Sequence, residues 1–148
     1  MQYNHLSKAI AAMCLVVLFS TTGFTQCNNF VKKKCMPNIL PFMHNGQTNT
    51  TTLAAGQSSE MKLTFYSGQG YRILVCTQSV LGTVAFKIMD LSHKVVFDSK
   101  ENDNPDFWDF KVKSTQQFIV QVTVPTSDLH SSVPPSGCVS VLVGFKKD

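Results

Sequence analysis

The 148-residue chain has no apolar run long enough to cross a bilayer. Its longest, Ala9 to Phe19, holds eleven residues, whereas a helical span needs about 20. Charge is also scarce. Asp, Glu, Lys and Arg make up 15% of the residues and the formal net charge is +4, too small and too dispersed to announce a nucleic-acid partner. Catalytic signatures are missing. The histidines form no His-x-His or His-x-x-x-His pair of the kind that gathers a metal. Nor is there a Gly-x-Ser-x-Gly elbow, a phosphate loop or a dinucleotide fingerprint. These absences favour a non-enzymatic chain. The rival they leave is a small secreted hydrolase whose site is assembled across loops.

The chain opens on a leader. A short stretch ending at Lys8 precedes the apolar run, and small or polar residues follow through Thr25, the layout of a secretory signal peptide. Residues 1–25 are therefore expected to be removed, with cleavage near Thr25, leaving a single domain over residues 26–148. Export places the domain in the periplasm or outside the cell. Cys14 leaves with the leader, and Cys27, Cys35, Cys76 and Cys138 remain. Four cysteines in an exported domain imply two disulfides. A lipid anchor on Cys27 is the competing use, but Gln26 stands where a lipobox has a small residue, which argues against it.

The longest informative stretch is Glu60 to Cys76. Met61, Leu63 and Phe65 alternate with Glu60, Lys62 and Thr64, the period of a half-buried strand. Ser67 to Gly70 carries two glycines and is expected to close a β-hairpin. Tyr71 to Cys76 is apolar on both faces apart from Arg72, so it belongs inside a sheet covered on both sides. The same alternation marks Val84, Phe86 and Ile88, which pair through an Asp90–His93 turn with Lys94 to Asp98. It recurs in Trp108, Phe110 and Val112, then in Phe118, Val120, Val122 and Val124, and finally in Val139, Val141, Val143 and Phe145. Thr126 to Ser136, with Pro134 and Pro135, reads as a long connection between sheets. His44 to Gln57 reads as a polar connector with at most a short edge strand at Thr51 to Ala54.

Cys27 to Met43 lacks strand periodicity and is expected to hold a short helix, ended or kinked at Pro37 and Pro41. Lys32, Lys33 and Lys34 lie to one side of it and read as a solvated face. Together these elements predict an all-β fold, an antiparallel β-sandwich of jelly-roll type with about eight strands and a short N-terminal helix over residues 26–43. Leu74, Cys76, Ile119, Cys138 and Leu142 fall on outward positions, an apolar set that must be covered. The helix is the cover, through Phe30, Cys35, Ile39 and Leu40. Cys76 and Cys138 point to that side. Cys27 and Cys35 would lie about 12 Å apart along a helix, too far to bridge. Each is therefore expected to reach the sheet, in either of the two crossed pairings.

Ligand chemistry is thin. Asp98, Glu101, Asp103 and Asp106 offer the hard oxygens calcium takes, although Asp-Asn-Pro-Asp is also ordinary turn chemistry. Calcium is the only cofactor the residues suggest, and a calcium-dependent binding module is the reading it would support. Trp108 is in phase with the core. Tyr66 and Phe107 are out of phase with it and are the better surface aromatics for a protein or glycan partner.

The runs Val31-Lys-Lys-Lys-Cys35, Pro41-Phe-x-x-Asn-Gly-Gln47, Leu63-Thr-Phe-Tyr66 and Gly137-Cys-Val-Ser-Val-Leu-Val-Gly-Phe145 resemble small exported β-sandwich proteins of Bacteroidota. The strand order is similar, more loosely, to bacterial pre-peptidase C-terminal domains. The resemblance implies a sandwich and an exported compartment, and it brings no functional residues with it. The function expected from the sequence is a non-enzymatic module that binds a protein or glycan partner at the cell envelope.

Overall fold

The computed structural model describes residues 23–127 and 133–147. Most of the expected leader and the centre of the Thr126–Ser136 connection, with His130, lie outside the described residues. Helix α1 (Gly23–Phe30) continues into a wide π-helical turn, Val31–Cys35, and a tighter 3-10 turn, Met36–Ile39. Eight strands follow: β1 (Met43–Ala54), β2 (Ser58–Phe65), β3 (Gln69–Thr77), β4 (Ala85–Met89), β5 (Val95–Asp98), β6 (Phe107–Lys111), β7 (Gln116–Thr123) and β8 (Ser136–Lys147). They form two antiparallel sheets, ordered β1-β8-β3-β6 and β2-β7-β4-β5. Among these strands only β4 and β5 are joined in sequence within one sheet; every other connection crosses between sheets. That order is a jelly roll, so the expected all-β sandwich is what forms.

The alternating residues meet between the sheets. Phe65, Ile73, Ile88, Val120, Val122 and Val141 are completely or almost completely buried there, each worth about 1.5–3 kcal/mol in removed apolar surface. Aromatic rings close one flank. Phe97 of β5 stacks on Trp108 of β6 with centroids 5.1 Å apart, and Trp108 stacks on Phe110 at 4.3 Å. Trp108 thus ties the edge strands of the two sheets together, as its phase required.

A third layer covers the outer face of the first sheet. Val31, Cys35 and Ile39 bury themselves against Leu74 and Leu142. Two disulfides fix the cover, Cys27 to Cys138 and Cys35 to Cys76. The crossed wiring was expected; the choice between its two forms is new. With its sulfur bonded to Cys138, Cys27 has none free for a lipid thioether. The 3-10 turn lies so close to β8 that a Cβ added at Gly144 would stand 2.7 Å from Phe42 Cβ and 2.8 Å from Ile39 Cγ1, so only glycine fits there.

Four expectations are corrected. Glu60 to Cys76 is not a hairpin: β2 pairs with β7, whereas β3 pairs with β6 and β8. Alternation reports which face is buried, not which strand lies alongside, and an arch between sheets satisfies it as well as a hairpin does. His44 to Gln57 is no connector, because β1 is a twelve-residue strand paired with β8. As an edge strand with one buried side chain, Leu53, it shows no apolar alternation. Leu40 is 68% exposed and does not join the cover, while Ile119 belongs to the second sheet, where β7 pairs with β2 and β4.

Peptide mapping without reductant should recover Cys27–Cys138 and Cys35–Cys76 and no Cys27–Cys35 peptide. Replacing Cys35 and Cys76 together by Ala should lower denaturant stability by about 4 kcal/mol, the loop-closure value for this span. A loss well under 1 kcal/mol would show that the cover holds without that bridge.

Candidate functional site

One end of the sandwich presents a cleft of about 420 Å³ between the β2–β3 arch and the start of β1. Its lining is Asn45, Gln47, Thr64, Tyr66, Gln69, Tyr71 and Phe145, aromatic and amide or hydroxyl side chains without a single charge. The size lies within the range of small-ligand sites.

Tyr66 leaves β2 out of phase with Phe65, and its side chain is 62% exposed. Its backbone is held. The Tyr66 N–H donates to Tyr71 Oη at 2.9 Å, and that hydroxyl donates back to the Tyr66 carbonyl at 3.1 Å. Tyr71 itself is anchored in the core by Phe65, edge-to-face at 5.0 Å, and by Phe110, stacked at 5.8 Å. The next residue, Ser67, donates its N–H to Thr115 Oγ1 of the β6–β7 connection at 3.3 Å. An exposed ring therefore stands on a backbone fixed from the core side and from the neighbouring arch.

The facing wall is a bulge in β1 between His44 and Thr48. Gly46 turns the chain at φ 86°. Asn45 Oδ1 accepts from the Gln47 N–H at 2.8 Å, and Asn45 Nδ2 donates to Gln47 Oε1 at 3.0 Å. His44 Nε2 contacts the Gln47 carbonyl and Thr48 Oγ1 at 3.1 and 3.0 Å, so the ring braces the bulge. Among the described residues no carboxylate bonds to the His44 or His93 ring.

Phe107 has a different occupation. It is 39% exposed, but its face lies 4.2 Å from the Arg72 guanidinium, which has Phe42 at 4.8 Å as well. Arg72 Nε and Nη2 donate to the two Asp109 oxygens at 2.7 Å each, and Nη1 donates to the Leu40 carbonyl at 2.8 Å. Hydrogen bonding to Asp109 and its charge hold the guanidinium cationic against its partial burial. A lone Arg in an otherwise apolar strand was the available signal for this clamp, which ties the end of the N-terminal cover to β3 and β6. The ligand value of Phe107 is thereby largely spent on structure.

The four acidic residues are not gathered into a site. Asp98 is buried and bonds Lys87 Nζ at 3.0 Å and the Lys100 N–H at 3.0 Å. Glu101, Asp103 and Asp106 are exposed, and the Asp106 carbonyl accepts from the Val75 N–H at 2.7 Å. Among the described residues no group of three or more His, Cys, Asp or Glu side chains could hold a metal. Burial pushes the Asp98 carboxyl up, but its bonds to Lys87 and Lys100 and the charges of both lysines outweigh burial and hold it below its ordinary value of 3.8.

The unfolded chain consequently takes up the Asp98 proton first as pH falls. Its contribution to stability is whole above the ordinary carboxylate value and is lost as pH falls through the depressed folded value. The stability gap between the native chain and Asp98→Asn should be constant near neutrality and close between about pH 5 and pH 2. A gap unchanged at low pH would show that Lys87 and Lys100 give Asp98 no net stabilisation.

Comparison with known proteins adds little. No family model matches the chain, and no curated protein matches it. Six solved chains match in structure. One is PliG of Aeromonas hydrophila, a periplasmic lysozyme inhibitor of g-type lysozyme, at 11% identity and a TM-score of 0.47, covering 68% of this chain and 85% of that one. A likeness of that size concerns strand arrangement and lends no residue or partner to this chain.

Proposed function

We propose that this chain is an exported, non-enzymatic binding module that takes a glycan or protein partner at the cell envelope through the Tyr66 cleft. The single observation that carries the reading is an exposed aromatic ring on an immobilised backbone. Binding usually costs the ordering of the groups that make contact, and a tyrosine with two side-chain torsions on a fixed backbone has little left to order. The neutral lining favours a neutral glycan over a charged peptide. Sugar C–H faces pack on the ring, and the amides of Asn45, Gln47 and Gln69 supply donors and acceptors for hydroxyls.

Export rests on the leader-like sequence of residues 1–25 and on the two disulfides, which persist in oxidising compartments. No helix among the described residues is long and apolar enough to cross a membrane. Against the hydrolase reading, His44 is committed to its own bulge.

Affinity capture on the immobilised chain should retain a component of solubilised cell envelope, with glycan and protein fractions analysed separately. Tyr66→Ala should weaken that capture by roughly thirtyfold, the value of a central aromatic anchor at about 2 kcal/mol. Its melting temperature should stay at the native value, because the ring is exposed. Capture that survives Tyr66→Ala undiminished would move the site elsewhere.

A further inference from the structure

The two flanks of the sandwich are built differently. On the β5/β6 flank the edge strands are short, four and five residues, β6 carries Asp109 and Lys111, and the Phe97–Trp108 stack closes the space between the sheets. Short, charged edges are the usual protection against unwanted strand pairing. On the opposite flank β1 has twelve residues, Met-His-Asn-Gly-Gln-Thr-Asn-Thr-Thr-Thr-Leu-Ala, without Asp, Glu, Lys, Arg or Pro. Beyond its bulge it pairs with β8 in unbroken register from Thr48 to Ala54, and among the described residues no strand pairs with its other side.

The inward positions of this flank are equally unusual. Asn49 stands opposite Val141 and Thr51 opposite Val139, and opposed residues share a face of the sheet. Both valines are core residues, so Asn49 and Thr51 occupy positions where the other strands place apolar side chains. They line a slot of about 370 Å³ whose other walls include Val122, Val139 and Val141 and, from the β2 edge of the second sheet, Ser59, Glu60 and Met61. Both are exposed at the open edge of the sheet. A long, neutral edge, threonine-rich from Thr48 to Thr52, with polar side chains left exposed at its inward-phase positions, describes a half-built pairing.

We infer that the missing half is a second copy of the same strand, with two chains joined antiparallel through β1 about a twofold axis at Thr50. The segment is self-complementary in that register. Asn49 meets Thr51 of the second copy on the inner face, twice by symmetry, which supplies a hydroxyl partner for each amide. Thr48 meets Thr52 and Thr50 meets itself on the outer face, and cross-strand threonine pairs are favourable. Because β1 is uncharged, self-pairing brings no like charges opposite one another. The free backbone N–H and C=O groups of both edges are satisfied, and the β1-β8-β3-β6 sheet becomes eight strands wide. An extended peptide from another protein could use the same backbone groups, but it would have no reason to match the Asn49 and Thr51 spacing.

Sedimentation equilibrium on the purified chain with both disulfides formed should show a concentration-dependent dimer, and Thr51→Lys should return it to monomer. The register is read by cross-linking. Thr50→Cys places its two sulfurs opposite each other, within the 4.4–6.8 Å Cα separation a disulfide accepts, and should link two chains under mild oxidation. Thr48→Cys should not link, because its two copies are four positions apart, about 13 Å. A monomer at every concentration overturns the inference, as does a dimer unaffected by Thr51→Lys. Linking by Thr48→Cys as fast as by Thr50→Cys overturns the register. If Thr51→Lys fails to fold, the two cysteine variants still decide.

Discussion

The constraint on which the structure depends is that β3 and β8 are apolar on both faces. Ile73, Val75, Val141 and Val143 fill the space between the sheets, while Leu74 and Leu142 point the other way. A two-sheet sandwich can bury only the first set. The second would remain a wet apolar stripe across the central strands. The N-terminal segment removes that stripe, and most of its local features follow from having to lie flat on it: the wide turn that buries Val31 and Cys35, the close approach over Gly144, and the Arg72 clamp at its end.

The two disulfides act on the same problem from the side of the unfolded chain. They join residues 111 and 41 positions apart, spans over which a cross-link removes much of the loop entropy otherwise lost on folding. A short helical segment making few contacts could not hold a sheet face by packing alone. Held this way, it leaves the rest of the domain free to carry function elsewhere. The Tyr66 cleft sits at the arch end of the sandwich, and its rigidity comes from the core through Tyr71 rather than from the cover.

Much of the fold was legible because the buried strands alternate cleanly. Phe65, Ile73, Ile88, Val120 and Val141 all face the interior, as their phase required. Two-sided burial of Tyr71–Cys76 was enough to demand a cover, and the direction of Cys76 and Cys138 was enough to send both disulfides to it, but not to choose between the two crossed pairings. Partnership between strands was not legible, since a hairpin and an arch place the same residues inward. Nor was β1, whose Asn49 and Thr51 interrupt the pattern by which strands are recognised. Of the candidate site, the exposure of Tyr66 could be read from its phase next to Phe65. The Tyr71 hydroxyl that holds it could not, because a tyrosine in the core phase gives no sign of where its oxygen points.

The claim that the N-terminal segment is a structural layer of the sandwich is tested most directly by hydrogen exchange along the backbone, with the disulfides intact and after reduction. The amides of β3 and β8 should be the slowest to exchange in the oxidised chain. On reduction they should lose protection together with residues 31–39, while β2, β4 and β7 of the opposite sheet change less. If reduction frees the N-terminal segment and leaves β3 and β8 as protected as before, the segment is an appendage and the central claim is wrong.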